Sequence, residues 1–155
     1  MMGGLPGSVE IFDATRDDLP EIVQIERLCF QQPWSRGSFE RELTLPFSRL
    51  IVARVNNSTV GFLCRWLIAG EMHILNLAVH PKLRRLGIAS RLLGYALEEA
   101  RTKDATVVTL EVRRTNLAAQ NLYRKFQFEE RRLRRNYYGP GEDALVMERR
   151  LRSES

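Results

Sequence analysis

The chain is poor in the residues that build metal centres and disulfide frameworks: its 155 residues include two cysteines and two histidines. Cys29 and Cys64 match no zinc spacing and no CxxC pair, and read as buried free thiols in a reducing compartment. His73 and His80 stand seven apart with no third ligand at a useful spacing, so no metal is expected. No apolar run approaches the ~20 residues that cross a bilayer. The N-terminal MMGGLPGSV has neither the positive start nor the long apolar stretch of a secretory signal. Together these absences point to a cytoplasmic protein without membrane contact. Both common phosphate loops are missing as well, since neither a GxxxxGK[ST] nor a GxGxxG segment occurs. Aromatic residues make up 8% of the chain and are not interleaved with its arginine clusters, which disfavours a stacking platform for single-stranded nucleic acid.

What is present is an ordinary globular composition, 44% hydrophobic and 28% charged. Residues 1–8 read as a flexible lead-in and 9–152 as a single domain without repeat or linker. A monomer is expected. The net charge of +5 favours polyanionic company, a phosphorylated cofactor or RNA, without choosing between them. Clusters at Arg131-Arg132-Leu133-Arg134-Arg135 and Arg149-Arg150-Leu151-Arg152 offer an RNA patch, but two strands with solvated faces is the favoured reading.

A strand is predicted over 9–14. Apolar residues Leu19, Ile22, Ile25 and Cys29 then recur at helical spacing after a cap at Thr15 or Asp17. Pro33 makes 30–34 a turn, and Ser35 caps a short helix through 43. Strands follow at 49–55, 59–67 and 72–79, with turns at Asn56-Asn57-Ser58 and Gly70-Glu71. A helix over 87–103, a strand over 106–112 and a helix over 116–126 lead to two last strands, 128–135 and 144–151, joined by Gly139-Pro140-Gly141. The order β-α-α-β-β-β-α-β-α-β-β is a mixed α/β (α+β) architecture with about seven strands and four helices. Its strand–helix–strand crossover requires 72–79 and 106–112 to lie parallel as neighbours. Ligands in such sheets favour the carboxyl ends of parting strands.

Residues 77–93, LAVHPKLRRLGIASRLL, run from an apolar strand through a basic turn into a helix. A helix N-terminus leaves backbone N–H groups unpaired and carries partial positive charge, which attracts phosphate. Arg84 and Arg85 add full charge, Gly87 has no Cβ, and Ala89 is small. The plain alternative is a helix that starts after a polar turn with its arginines facing water.

Downstream, LEVRRTNLAAQNLYRKFQF sets Glu111 near the end of a very apolar strand, on the face of Val107 and Thr109. Asn116 can cap the next helix, and Tyr123 lies inside it. Forming an amide from a thioester requires an amine freed of its proton and a stabilised thiolate. A carboxylate acting through water can take the proton of an α-amino group, and a phenol can donate a hydrogen bond or proton to the thiolate. Backbone N–H groups at Leu77–Val79 can polarise the thioester carbonyl. Taken singly, Glu111 reads equally well as a salt-bridge partner of an arginine, and Tyr123 better as a core aromatic.

The spacing Arg84-x-x-Gly87-x-Ala89 resembles the R/Q-x-x-G-x-G/A signature of the GCN5-related N-acetyltransferases (GNAT), which hold the pyrophosphate of acetyl-CoA. With LEVRRTNLAAQNLYRKFQF and RRNYYGPGEDALVM, the chain resembles their bacterial ribosomal-protein-alanine N-acetyltransferase (RimI-type) branch. The resemblance implies an acetyltransferase fold, acetyl-CoA as cosubstrate, and direct transfer to the N-terminal alanine of a small-subunit ribosomal protein. By the same resemblance Glu111 is the proton acceptor and Tyr123 the proton donor. Leu77, Ala78 and Val79 pair with the pantetheine arm. Arg84, Arg85, Leu86, Gly87, Ile88, Ala89 and Ser90 form the pyrophosphate loop, and Asn116 with Tyr123 completes the cofactor set. CFQQPWSRGSFEREL resembles the turn that borders the peptide site, so Phe30 or Trp34 walls the acceptor, with Trp34 as a plain helix staple the alternative. His73, Tyr137 and Tyr138 are further acceptor-side candidates. Rival readings are a GNAT enzyme for other N-termini, lysine or a small amine, and a non-catalytic acetyl-CoA-binding module. One departure stands out: Gln127 replaces the usual glycine after the tyrosine helix, at a cost of ~1 kcal/mol or a reshaped helix end.

Overall fold

The computed structural model describes residues 8–151, so the lead-in other than Ser8, and Arg152, lie outside the described residues. Strands and helices follow in the expected order: β1 Glu10–Asp13, α1 Leu19–Cys29, α2 Arg36–Glu42, β2 Ser48–Val55, β3 Ser58–Ile68, β4 Glu71–Val79, α3 Ile88–Thr102, β5 Val107–Arg113, α4 Leu117–Lys125, β6 Glu129–Gly139 and β7 Glu142–Arg150. Two short 3-10 turns, Arg16–Asp18 and Pro81–Leu83, were not anticipated. The seven strands are hydrogen-bonded in the order β1-β2-β3-β4-β5-β7-β6. The chain divides into two compact units. One holds residues up to 66 with 76–96, and the other holds 67–75 with 97 onward. No helix among the described residues is long and apolar enough to cross a membrane.

In the first unit β1, β2 and β3 form an antiparallel meander. Its tight turn rests on Asn56 and Asn57, both left-handed at φ 52° and 67°, the backbone a two-residue hairpin needs to match strand twist. Helix α1 buries Leu19, Ile22, Val23 and Ile25. Of the two expected caps, Thr15 caps the Arg16–Asp18 turn that leads into α1, in a capping box with Asp18, and Asp18 rather than Asp17 precedes the helix itself. The Asp18 carboxylate accepts the Thr15 N–H at 2.8 Å, pairs with Arg54 at 2.8 Å and accepts the Thr59 hydroxyl at 3.1 Å. Burial raises its pKa, but these partners outweigh burial and hold the carboxyl below its usual range. Ser35 caps α2 as expected, accepting the Ser38 N–H at 3.1 Å. Fully buried Phe39 stacks between Trp34 and Phe62. Cys64 is buried and its thiol is pushed up to about 12 by desolvation. Cys29, expected buried, is only half-buried: it ends α1, donates to the Val79 carbonyl at 3.4 Å and accepts from Arg84 Nη2 at 3.3 Å.

In the second unit Glu71–Ile74 of β4 pairs in parallel with Val107–Leu110 of β5, as the crossover required. The turn before β4 falls on Ala69-Gly70, left-handed at φ 52° and 79°, and Glu71 already belongs to the strand. Strand β7 lies antiparallel to both β5 and β6. Strand β6 runs past 135 to Gly139 because it bulges. Arg134 faces Ala144 and Gly139 faces Glu142, so four residues oppose one. Left-handed Asn136 fixes the bulge, its N–H donating to Asp143 Oδ1 at 2.9 Å and its Oδ1 accepting the Gly141 N–H at 2.7 Å. Three arginines of this hairpin face carboxylates, Arg131 pairing with Glu148, Arg134 with Glu111 and Arg150 with Glu148, and Arg149 donates to the Phe126 carbonyl. That distribution suits solvated strand faces.

Helix α4 keeps its C-cap without the glycine. Gln127 takes the left-handed conformation, φ 69°, with its N–H on the Arg124 carbonyl at 2.8 Å, and the Phe128 N–H reaches the Tyr123 carbonyl at 3.0 Å. These two bonds are a Schellman motif, completed by the Phe128 ring on the Tyr123 ring at 5.7 Å. The helix end is therefore not reshaped. Gln127→Gly should relieve the strain and raise stability by about 1 kcal/mol, a melting rise of roughly 2–4 °C. A thermal melt of that variant checks this.

Candidate functional site

The candidate phosphate grip lies in the first unit. Strand β4 ends with Leu77 half-buried and Ala78 and Val79 buried. His80 has left the strand; its Nδ1 accepts the Lys82 N–H at 3.1 Å and caps the Pro81–Leu83 turn. The backbone is then left-handed at Arg85, φ 66°, and at Gly87, φ 84°. A non-glycine residue in that conformation costs ~1 kcal/mol or more. The Gly87 carbonyl accepts the Arg91 N–H at 3.0 Å, so Gly87 caps α3 and Ile88 begins it. The N–H groups of Ile88, Ala89 and Ser90 therefore have no carbonyl one turn back within the helix, and the 15-residue helix adds its positive end. Arg84 and Arg85 are exposed, and a Cβ built on Gly87 would meet nothing within 4 Å. Amides without an intrahelical carbonyl, a helix dipole, two exposed guanidinium groups and open space suit a bound pyrophosphate.

Gly61, in β3, is a residue that sequence reasoning missed. A Cβ there would stand 3.1 Å from the Ala78 carbonyl oxygen and 3.3 Å from the side chains of Ile88 and Leu92. The first turns of α3 settle against β3 because this position is bare. A glycine inside a strand was the available signal.

The turn expected to wall the acceptor also belongs to this unit. Phe30 and Trp34 are both half-buried, and the Trp34 ring packs on Phe39 at 5.1 Å, so the stapling role is present. Behind them lies Glu26, 2% exposed, which the sequence did not single out. Its Oε2 accepts the Trp34 N–H at 3.0 Å and its Oε1 accepts from Asn76 Nδ2 at 2.8 Å. Burial raises its pKa more than these two neutral donors lower it.

The candidate chemistry lies in the second unit, where His73, Glu111, Tyr123, Tyr137 and Tyr138 converge. Gln120 ties α4 to the end of β5, its amide donating to the carbonyls of Arg113 and Arg114 at 3.1 and 2.8 Å. Asn116 caps that helix as expected, accepting the Ala119 N–H at 3.1 Å. His73 Nε2 lies 2.7 Å from Glu111 Oε1, and Arg134 Nη1 lies 3.8 Å from Oε2. The His73 hydrogen bond, reinforced by the charges of His73, Arg134 and Arg132, outweighs burial and lowers the Glu111 pKa. Glu111 is thus both a salt-bridge partner and a carboxylate held ionised. Tyr123 is buried, and among the described residues its hydroxyl has no hydrogen-bond partner. Desolvation first, and the Tyr138 phenol second, hold its pKa far above the ordinary value. Tyr138, pushed up to about 12 by burial, also feels Tyr137 and Glu111. The two bulge tyrosines meet edge to face at 4.9 Å, with Arg113 over Tyr138 and Arg134 over Tyr137. Among the described residues no three histidine, cysteine or acidic side chains gather into a metal-binding group.

The chain is similar in sequence and fold to known acetyltransferases. Residues 19–128 match the model of the Acetyltransferase (GNAT) family. The [ribosomal protein bS18]-alanine N-acetyltransferase of Salmonella typhimurium is 33% identical, over 84% of this chain and 89% of that one. An N-alpha-acetyltransferase of Saccharolobus solfataricus is 31% identical, over 90% of this chain and 91% of its own length. Among solved structures, the ribosomal-protein-S18-alanine N-acetyltransferase of Escherichia coli superposes with a TM-score of 0.87 at 28% identity, covering 96% and 97% of the two chains. A family match across most of the chain, relatives above 30% identity and a shared seven-stranded fold agree: the chain belongs to the GNAT acetyltransferase family.

Proposed function

We propose that this chain is a protein N-terminal acetyltransferase that transfers the acetyl group of acetyl-CoA to the N-terminal alanine of a small-subunit ribosomal protein. One observation carries the chemistry: the His73–Glu111 pair and the unpartnered Tyr123 hydroxyl sit in one cluster with Tyr137 and Tyr138. The names of the bacterial relatives support the acceptor.

Acetyl-CoA supplies an activated acetyl thioester. Arg84 through Ser90 hold its pyrophosphate, Leu77–Val79 offer backbone groups to its pantetheine arm, and Asn116 contacts it. Glu111, hydrogen-bonded to His73, takes the proton of the acceptor's α-ammonium through water. The freed amine attacks directly in a ternary complex, and Tyr123 steadies the departing thiolate. Tyr137 and Tyr138, with Phe30 and Trp34, receive the acceptor peptide. Cys64 is unsuited to carry the acetyl group, because it is buried with its thiol held up to about 12. In this reading residues 9–152 act as one catalytic domain, as a monomer, and a ribosomal-protein acceptor sets the reaction in the cytoplasm.

The test is mass spectrometry of ribosomal proteins incubated with the protein and acetyl-CoA. An acetyl group on the N-terminal alanine of one small-subunit protein is the expected outcome, and modification confined to lysine side chains would overturn it. The archaeal relative favours a second reading, broader action on protein N-termini. A peptide panel varying only the first two residues separates the two: a sharp preference for alanine supports the first, and equal turnover supports the second.

A further inference from the structure

We propose that Glu26 is a positioning residue for the acceptor, holding the Phe30–Trp34 turn in register with strand β4 through two hydrogen bonds to neutral donors. This inference rests on the reading of that turn as an acceptor wall. A carboxylate 2% exposed is costly unless it is paired, and among the described residues no arginine, lysine or histidine pairs with Glu26. Its neighbours on α1, Ile22 and Ile25, are apolar and fully buried, and an apolar side chain of similar volume would suit packing alone. What Glu26 does instead is specific. One oxygen takes the backbone N–H of Trp34, which only an acceptor at that point can satisfy. The other takes the Asn76 amide, one residue before Leu77–Val79. On the same face of α1, Cys29 donates to the Val79 carbonyl, so this helix touches both ends of that stretch of β4. Removing the Glu26 oxygens frees the Trp34 N–H and lets the turn drift from the strand, which loosens acceptor placement before it touches the acetyl donor.

Two uncharged variants of near-equal volume separate hydrogen bonding from charge and from packing. Glu26→Gln keeps one acceptor for the Trp34 N–H, and its amide meets Asn76 once that side chain turns over. Glu26→Met keeps the volume and neither hydrogen bond. With a peptide beginning in alanine, E26M should raise peptide KM by roughly 10-fold or more, with the acetyl-CoA Kd held within about 3-fold, and E26Q should stay within about 3-fold of wild type in both. An unchanged peptide KM in E26M overturns the proposal. So does an E26Q as impaired as E26M, which would make the charge the active element, or an acetyl-CoA Kd that worsens in step with KM. If E26M does not fold, Asn76→Leu, which removes one of the two bonds, is read the same way. Acrylamide quenching of Trp34 in a Trp66→Phe background judges the inference apart from turnover: greater exposure in E26M but not in E26Q supports it, and equal exposure in both overturns it. A wild type that fails to acetylate the peptide counts against the function, and the quenching still decides the role of Glu26.

Discussion

Tyr123→Phe should lower kcat by roughly 10²–10³-fold while leaving the acetyl-CoA Kd within about 3-fold of wild type. The ring stays, and with it the contact to Phe128 that closes the helix end; only an unpartnered hydroxyl is lost. That hydroxyl is protonated throughout the neutral range, because burial and the Tyr138 phenol hold its pKa well above the usual 10. A thiol titrates near 8.5, so full transfer of the phenolic proton to a thiolate is uphill. In the proposed mechanism Tyr123 is therefore a hydrogen-bond donor to the developing sulfur charge, and solvent restores the thiol. A further consequence distinguishes this from a packing defect. With an acetyl thioester of a more acidic thiol, whose anion needs less help, the gap between Y123F and wild type should shrink. A kcat within 3-fold of wild type, or a gap indifferent to the leaving thiol, would remove Tyr123 from the mechanism.

Glu111→Gln should cost roughly 10²-fold in kcat/KM at pH 7, and the loss should depend on pH. Because the folded pKa of Glu111 is lowered, the carboxylate is present above the ordinary carboxylate range and is lost only as pH falls through its folded value. An acid limb near pH 7.7–8.0 in the wild type thus reports the α-amino group of the acceptor. Below that range the acceptor arrives as an ammonium and Glu111 has a proton to take. Above it the acceptor arrives free, and E111Q should close part of its deficit. Rate profiles of both proteins from pH 6 to 9.5 on one peptide check this. A deficit that is constant across the range would make Glu111 an electrostatic support for Arg134 and His73 rather than a proton acceptor.

Much of this was legible in the chain. Helical spacing at Leu19, Ile22 and Ile25, the Ser35 and Asn116 caps and the Asn56-Asn57 turn are local signals, and each emerged where local chemistry put it. The parallel pairing of β4 with β5 followed from the crossover alone. What the chain concealed was non-local. The bulge that lifts Tyr137 and Tyr138 out of a regular strand depends on Asp143 facing Asn136 across the hairpin. The 2.7 Å approach of His73 to Glu111 depends on register, because residue 73 stands opposite residue 109 and two side chains on one face then meet diagonally. Glu26 was hidden for the opposite reason: on an amphipathic helix an acid next to Ile25 reads as a solvent-facing charge, and only the fold shows it turned inward.

The bare backbone at Gly61 has a consequence for how this protein can vary. A methyl group there would force the Ala78 carbonyl, Ile88 and Leu92 to give by a few tenths of an ångström. The first turn of α3 would rise with them, and with it the amide donors at its N-terminus. The height of that helix N-terminus thus depends on a hydrogen atom two strands earlier in the chain. Position 61 therefore takes a larger side chain only if those three neighbours yield, although it lies outside the segment over 84–90.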